Sequence, residues 1–286
     1  MNRALSMFVA GLLALLCDVS ADAQVEQHAD APRRFGLADP SWFLAGFGSE
    51  KNGKTNDLFT DSHNQMKFRF VLQAQVIPFG KNADGIYASF TQSSFWDPYT
   101  KNSPALENTY TPEVFVYWDN GYAKLGNAWS WSKPSVRISY THQSNGLGGE
   151  ASRTWNRAIL RIEFGDLTNH PLLMRLSVWV PFNDMDNPDI EDHLGWGDVA
   201  VNWQPLLQRY PDGMRVLGVH AETNWGVSGR ILKRFQLDIF AHPVLLDSRL
   251  AWMPTLMLQY FTGRGESIRL YNRDTRALRV GVVLFP

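Results

Sequence analysis

The chain of 286 residues contains a single cysteine, Cys17, and no helix-length apolar run after residue 23. With no second cysteine, a disulfide framework is excluded. Without a long apolar run there are no membrane-spanning helices, which need about 18 or more apolar residues. Charge of one sign is lacking too: 27 basic and 28 acidic residues give a net charge of −1. No basic patch invites nucleic acid. Upstream of residue 23, Arg3 followed by the apolar run Met7 to Cys17 reads as a secretory leader, and Ala21-Asp22-Ala23 as its small-x-small cleavage site. Residues 1–23 are therefore expected to be a signal peptide. Losing Arg3, Asp18 and Asp22 with it leaves 26 basic and 26 acidic residues, and no cysteine.

Aromatic residues, by contrast, are abundant. There are 11 Trp, 9 Tyr and 17 Phe in a chain only 44% hydrophobic. An exported chain of this kind, with no spanning helix, can cross a membrane only as a closed β-barrel, because the bilayer core leaves no backbone group unpaired. A soluble periplasmic β-protein is the competing architecture. Periodicity separates the two. Met66, Phe68, Phe70, Leu72, Ala74 and Val76 alternate with Lys67, Arg69, Gln73 and Gln75. Leu160, Ile162 and Phe164 alternate with Arg161 and Glu163, and Met174, Leu176, Val178 and Val180 with Arg175 and Ser177. Period-2 alternation in runs of about 9–11 residues marks strands with one lipid face and one polar lumen face.

Twelve strands are expected, near 41–47, 66–76, 85–95, 112–119, 134–144, 155–165, 171–181, 194–203, 214–223, 229–240, 253–262 and 276–285. An even count places both termini in the periplasm. The fold expected is all-β: a 12-stranded antiparallel transmembrane β-barrel of the bacterial outer membrane over 41–286, preceded by a periplasmic extension at 24–40. The connections at 48–65, 96–111, 182–193 and 263–275 would be extracellular. Those at 120–133 and 241–252 are long for the periplasmic side. The run Val280 to Phe285, followed by Pro286, has the character of an apolar closing strand.

The segment richest in chemistry is Ser139-Tyr-Thr-His142-Gln-Ser144-Asn-Gly146-Leu-Gly-Gly-Glu-Ala-Ser152-Arg-Thr-Trp155-Asn156-Arg157. Val136, Ile138 and Tyr140 set an apolar parity that His142 and Ser144 continue, so both are expected to project toward lipid. Asn156 shares the parity of Ala158, Leu160, Ile162 and Phe164 across the connection, which sets it beside His142. Polar groups are costly on such a surface and invite a functional reading. A serine hydroxyl needs a base to become a nucleophile, and a histidine is suited to that near neutral pH. The other imidazole nitrogen needs an orienting partner, the role assigned to Asn156. Ester cleavage also needs oxyanion stabilisation, for which the Gly146 backbone N–H is a candidate. A lone His or Ser at a strand end is more often an interface residue; the shared parity of three raises the catalytic reading.

These residues resemble the active-site signature of the outer membrane phospholipase A family. Further matches are Thr91-Gln92-Ser-Ser-Phe-Trp96, Ser103-Pro104 with Tyr110-Thr-Pro112, Asp186-Asn-Pro-Asp189, and Gly265-Glu-Ser267 with Tyr271-Asn272, which together cover most of the barrel. The resemblance implies a twelve-stranded barrel that hydrolyses phospholipid acyl esters with Ca2+ and is active as a homodimer, its site facing the cell exterior. It implies Ser144 as nucleophile, His142 as base and Asn156 as orienting group. It further implies calcium ligands at the Ser152 hydroxyl, the Leu147 carbonyl and, from a second copy, the Asn102 carbonyl. Asp186 matches an acidic residue of a second calcium position whose companion is Gly149 here, with Glu150 adjacent. Gln92 falls on the lipid parity of Ile86, Ala88 and Phe90, where an amide gains from a partner subunit.

Two other readings compete. A passive pore could be lined by Arg161, Glu163, Arg175 and Asp238, although in twelve strands such groups are expected to pair and plug the lumen. An acyltransferase acting on lipid would need the same nucleophile.

Overall fold

The computed structural model describes residues 32–50, 64–80, 83–98, 105–119, 122–125, 129–132, 134–165, 167, 171–182, 187–204, 216–225 and 231–285. The expected leader, the cleavage site, Asn102 and Asp186 lie outside them.

The strands are β1 (Phe35–Leu37), β2 (Ser41–Glu50), β3 (Asn64–Pro78), β4 (Gly85–Trp96), β5 (Ala105–Trp118), β6 (Tyr122–Leu125), β7 (Trp129–Ser132) and β8 (Ser135–Ser144). They continue with β9 (Thr154–Gly165), β10 (Leu172–Phe182), β11 (Gly197–Trp203), β12 (Leu217–Trp225), β13 (Ile231–Ala241), β14 (Thr255–Gly263) and β15 (Thr275–Leu284); α1 is Ile190–Leu194. Twelve of the strands, all but β1, β6 and β7, pair antiparallel in one cycle, and β15 meets β2 from Thr275↔Glu50 to Leu284↔Ser41. The barrel is therefore closed, and closure leaves no edge to present unpaired backbone to lipid. The seam is tight: a Cβ at Gly281 would lie 1.9 Å from the Phe43 carbonyl oxygen.

Each of the twelve expected strands has its counterpart. The largest difference is β5, which begins at Ala105 rather than near 112. Its outer part, Glu107-Asn-Thr109-Tyr-Thr111, is polar on both parities, so period-2 alternation is silent there. Two short pieces were not anticipated. Strand β1, within the stretch expected as an extension, pairs with β3 at Leu72 to Ala74, and β6 pairs with β7 in a separate ribbon.

Exposure follows the pleat. Val114, Ile138, Leu160, Val180 and Val280 point outward and are exposed, while Ser139, Thr141, Ser177 and Gln259 point inward and are buried. A soluble fold would invert this; for a barrel the lipid is the apolar solvent. The inward face is crossed by ion pairs: Arg175 to Glu222 at 2.6 Å and Asp198 at 3.7 Å, Arg137 to Glu113 at 2.5 Å, and Lys67 to Glu266 at 3.2 Å. Asp238 accepts from Gln259 at 3.0 Å, and Arg161, Glu163, Arg175, Glu222 and Asp238 line a cavity of about 430 Å³. Charges inside a barrel lose hydration, and such pairing offsets the loss. Glu266, in the connection between β14 and β15, shows the balance. Burial alone would raise its pKa, but the charges of Arg279 and Lys67 outweigh burial and hold it at about 2.

Candidate active site on the outer face

Strands β8 and β9 run in unbroken register from Ser135↔Glu163 to Ser144↔Thr154, and His142 lies directly opposite Asn156. Directly opposed residues share a face of the sheet. That face carries Ile138, Tyr140 and Leu160, all exposed, so His142, Ser144 and Asn156 stand on the lipid side of the barrel.

The His142 Nδ1 and Asn156 Oδ1 atoms are 2.7 Å apart. An amide oxygen can only accept, so Nδ1 carries the proton of this bond and Nε2 is the nitrogen left to face a substrate. The Tyr140 hydroxyl donates to the same Oδ1 at 3.3 Å, and the Tyr140 ring stacks on Phe182 with centroids 5.5 Å apart. Although on the outer face, Asn156 is only 5% exposed. These rings cover its amide, and removing water strengthens the bond it accepts from the imidazole.

Ser144 lies at the end of β8, two residues beyond His142 on the same face. Its Oγ accepts from the Gly146 N–H at 3.1 Å; among the described residues no hydrogen bond joins it to His142. Gly146 has a φ of +69°, and a Cβ there would meet the Tyr110 ring at 3.3 Å. Only glycine takes this conformation without strain. On the other flank of β8, Tyr110 pairs with Ser144 and Glu113 with Thr141. Between them, Pro112 has no N–H to offer the ladder beside His142.

A residue that sequence reasoning passed over shapes the turn. Asn145, buried, accepts at Oδ1 from the Leu147 N–H (3.2 Å) and the Arg153 N–H (3.0 Å), and its Nδ2 donates to the Ala151 carbonyl (2.8 Å). Asparagine in a turn that binds the backbone two residues on is the available signal for it. Arg153 Nη1 then donates to the carbonyls of Glu150 (2.8 Å) and Ser152 (2.6 Å). The turn therefore gathers oxygens around a cation. Among the described residues there is no group of three or more His, Cys, Asp or Glu that could hold a metal. A cation at this turn would take neutral oxygens, and no described residue donates to the Leu147 carbonyl.

Gln92 stands outward on β4, opposite Tyr110. Its Nε2 donates to Ser94 Oγ at 3.3 Å, and Ser94 donates to Asn108 Oδ1 at 2.7 Å. A short polar chain, with Ser94 at its middle fully buried, thus lies two strands from Ser144.

The surroundings at the mouth titrate away from their ordinary ranges. The hydrogen bond from Tyr271 lowers the Asp189 pKa against the opposing effect of burial, and His193 adds to the lowering. Burial, followed by the bond to Asp189, pushes the Tyr271 hydroxyl up to about 12.

A sequence model of the phospholipase A1 family matches residues 47–284. The phospholipase A1 of Escherichia coli K12 is 30% identical over 202 residues, 69% of this chain and 61% of that protein. The match therefore spans about three fifths of the E. coli protein's length. The phospholipase A1 of Salmonella typhimurium LT2 is 26% identical over 272 residues, 92% of this chain and 85% of that one. In three dimensions the barrel is similar to outer membrane phospholipase A from E. coli, with a TM-score of 0.71 at 22% identity, covering 91% of this chain and 94% of that one. It is equally similar to the Salmonella typhi outer membrane phospholipase, solved as a dimer with bound calcium, at a TM-score of 0.71 and 21% identity, covering 91% and 98%.

Proposed function

The chain belongs to the phospholipase A1 family, and from that membership we propose that it is an outer membrane enzyme hydrolysing acyl esters of phospholipids and lysophospholipids at Ser144. The observation that carries this is the pair His142 Nδ1 and Asn156 Oδ1 at 2.7 Å, on the same lipid-facing surface as Ser144. Such polar groups are costly against hydrocarbon and serve an ester that arrives from the membrane plane.

The steps follow from the groups present. Turning the Ser144 side chain about χ1 brings its hydroxyl toward His142 Nε2, which takes the proton as Oγ attacks the acyl carbonyl. The carbonyl π electrons move to oxygen, and the Gly146 N–H, already aimed at Oγ, donates to that oxyanion. Asn156 holds the imidazolium through Nδ1–H. The oxyanion re-forms the carbonyl, and the ester C–O bond breaks. The leaving glycerol oxygen takes the proton back from His142, and a water repeats the sequence to release fatty acid.

Ca2+ fits the turn by donor chemistry, because hydroxyl and carbonyl oxygens suit a hard cation. The Ser152 hydroxyl and the Leu147 carbonyl would hold it, joined by Asn102 of the partner subunit. Its charge would then strengthen oxyanion binding. Asp186 would serve a second position. The polar chain from Gln92 to Asn108 supports a homodimer meeting on this face, with the site open to the cell exterior once residues 1–23 have directed export.

The test is fatty-acid release from phospholipid in detergent micelles by wild type and Ser144→Ala, with Ca2+ and with a chelator. The expected result is release that needs both Ser144 and Ca2+. Activity surviving Ser144→Ala overturns the mechanism; activity surviving chelation overturns the calcium role. Transfer of the acyl group to lipopolysaccharide instead of water would favour an acyltransferase. Single-channel conductance in planar bilayers would favour a pore, against which the ion-paired lumen speaks.

A further inference from the structure

Strand β8 carries His142 and Ser144, and its neighbours at the outer end are β5 and β9. β9 pairs with it in full register out to Ser144↔Thr154, whereas β5 does not. Pro112 interrupts the β5 side, and the last described pair between β9 and β10 is Asn156↔Phe182. Two residues outward of Asn156 along β9 comes the carbonyl of Thr154, the residue opposite Ser144. It accepts from Asn187 Nδ2 at 2.5 Å. Asn187 is fully buried, and its amide satisfies this backbone carbonyl.

Asn187 begins a chain of contacts across the interior of the mouth. Its carbonyl accepts from the Ile190 N–H at 3.1 Å, starting α1. Ile190 and Leu194 pack with Trp155 and Ile159 of β9, Trp179 of β10, and Ile268 and Tyr271 of the 264–274 connection. Tyr271 donates its hydroxyl to Asp189, whose other oxygen lies 3.1 Å from His193 Nε2. From the same connection, Ser267 donates its hydroxyl and Arg269 its N–H (2.9 Å) to Glu107 on β5. One continuous inner brace therefore joins the outer ends of the two strands that flank β8. It is built from the segments around 187–189 and 265–272.

Resting on the reading of Ser144 and His142 given above, we propose that this brace sets the spacing of the site from the lumen side, and that Asn187 is a positioning residue acting through Thr154. A displacement of about 1 Å at reacting groups can cost up to ~100-fold in rate, so a single missing hydrogen bond near Asn156 is enough to matter.

The experiment compares full-length wild type, Asn187→Ala and Met257→Ala as folded barrels in detergent. Met257 belongs to a separate interior cluster with Trp42, Leu44, Phe240 and Val283, so it reports general loosening. Amide hydrogen exchange is expected to quicken about fivefold or more over 142–146 and 154–156 in Asn187→Ala, with 160–164 unchanged. Sulfonylation of Ser144 by a sulfonyl fluoride is expected to slow about tenfold and kcat to fall alike, with KM unchanged. Met257→Ala is expected to lower Tm at least as far while leaving these readouts alone. Unchanged exchange over 142–156 in Asn187→Ala overturns the proposal, as does an equal local effect from Met257→Ala. Should Asn187→Ala not fold, Tyr271→Phe, which deletes one oxygen from the brace, is read by the same criteria. A wild type that is not labelled at Ser144 refutes the hydrolase reading instead, and exchange still decides the brace.

Discussion

On the inner side of β8 and β9, Arg137 meets Glu113 at 2.5 Å and Arg157 meets Gln143 at 3.1 Å. On the outer side, one residue along the same strands, Asn156 accepts from both His142 and Tyr140. The inner groups are mostly full charges in pairs; the outer ones are neutral donors and acceptors. A charge in the lumen can find a counter-charge across the barrel, whereas one facing hydrocarbon has only its strand neighbours and costs several kcal/mol if left alone. A catalytic group on the lipid face must therefore do its work from a neutral resting state. An asparagine as orienting group satisfies this where an aspartate would not.

If the two faces are separable in this way, damage to one should spare the other. The largest effect is expected from His142→Ala on the outer face. Ester hydrolysis should fall by about 10³-fold or more, because a serine without its base is a weak nucleophile. The denaturation midpoint of the folded barrel should scarcely move. Next comes Arg175→Leu on the inner face, which leaves Asp198 without its cation and Glu222 with only Arg234 and His220. Stability should fall by about 3 kcal/mol, read by urea or thermal melting, with activity at low temperature within a few fold of wild type. A large loss of activity at full stability in Arg175→Leu would break the separation.

The third prediction uses pH. Glu266 is held at about 2, below its ordinary 4.5. A depressed carboxylate stabilises the fold fully above its unfolded pKa, and that contribution is lost as pH falls toward 2. Wild type should therefore lose on the order of 2–3 kcal/mol between pH 5 and pH 2 through this group. Glu266→Gln should be weaker at pH 5 and should show a flatter decline below it. Parallel melting curves for the two proteins across that interval would refute the assignment.

What the sequence made legible, and what it did not, divides along the same faces. The outer face of β8–β9 was readable because parity is a local rule: Ile138, Tyr140, His142 and Ser144 fall every second residue, and Asn156 lies on the matching parity of β9. Lumen pairing was readable only as a class. Nothing local tells Arg175 that its partners are Asp198 on β11 and Glu222 on β12. The outer half of β5 was invisible because its two faces are both polar. Its inward Glu107 serves the brace, and its outward Asn108 and Tyr110 lie beside the site. Asn187 was likewise beyond reach as a functional residue, and Asn145 offered only the general signal of an asparagine in a turn. The Asn187 side chain bonds one backbone carbonyl and that of Asn145 three backbone groups, partners set by how the fold arranges its connections.

The smallest expected effect concerns Tyr140, where the two faces are compared within a single residue. Its ring belongs to the lipid belt and stacks on Phe182, while its hydroxyl donates to Asn156 Oδ1 at 3.3 Å. Tyr140→Phe keeps the stack and removes only the second donor. Asn156 would still accept from His142 at 2.7 Å, so the tautomer stays fixed and only the amide's freedom to turn increases. A neutral hydrogen bond of this kind contributes about 0.5–1.5 kcal/mol, and part of it is recovered by tightening of the shorter bond. The expected result is a two- to fivefold lower kcat, by that estimate, with KM and melting temperature unchanged. Tyr140→Ala, which also uncovers the amide, should lose several times more. Equal losses from Phe and Ala would mean that the hydroxyl matters and the covering ring does not. That outcome would contradict the view that excluding water from Asn156 is what lets a neutral residue orient the imidazole at a membrane surface.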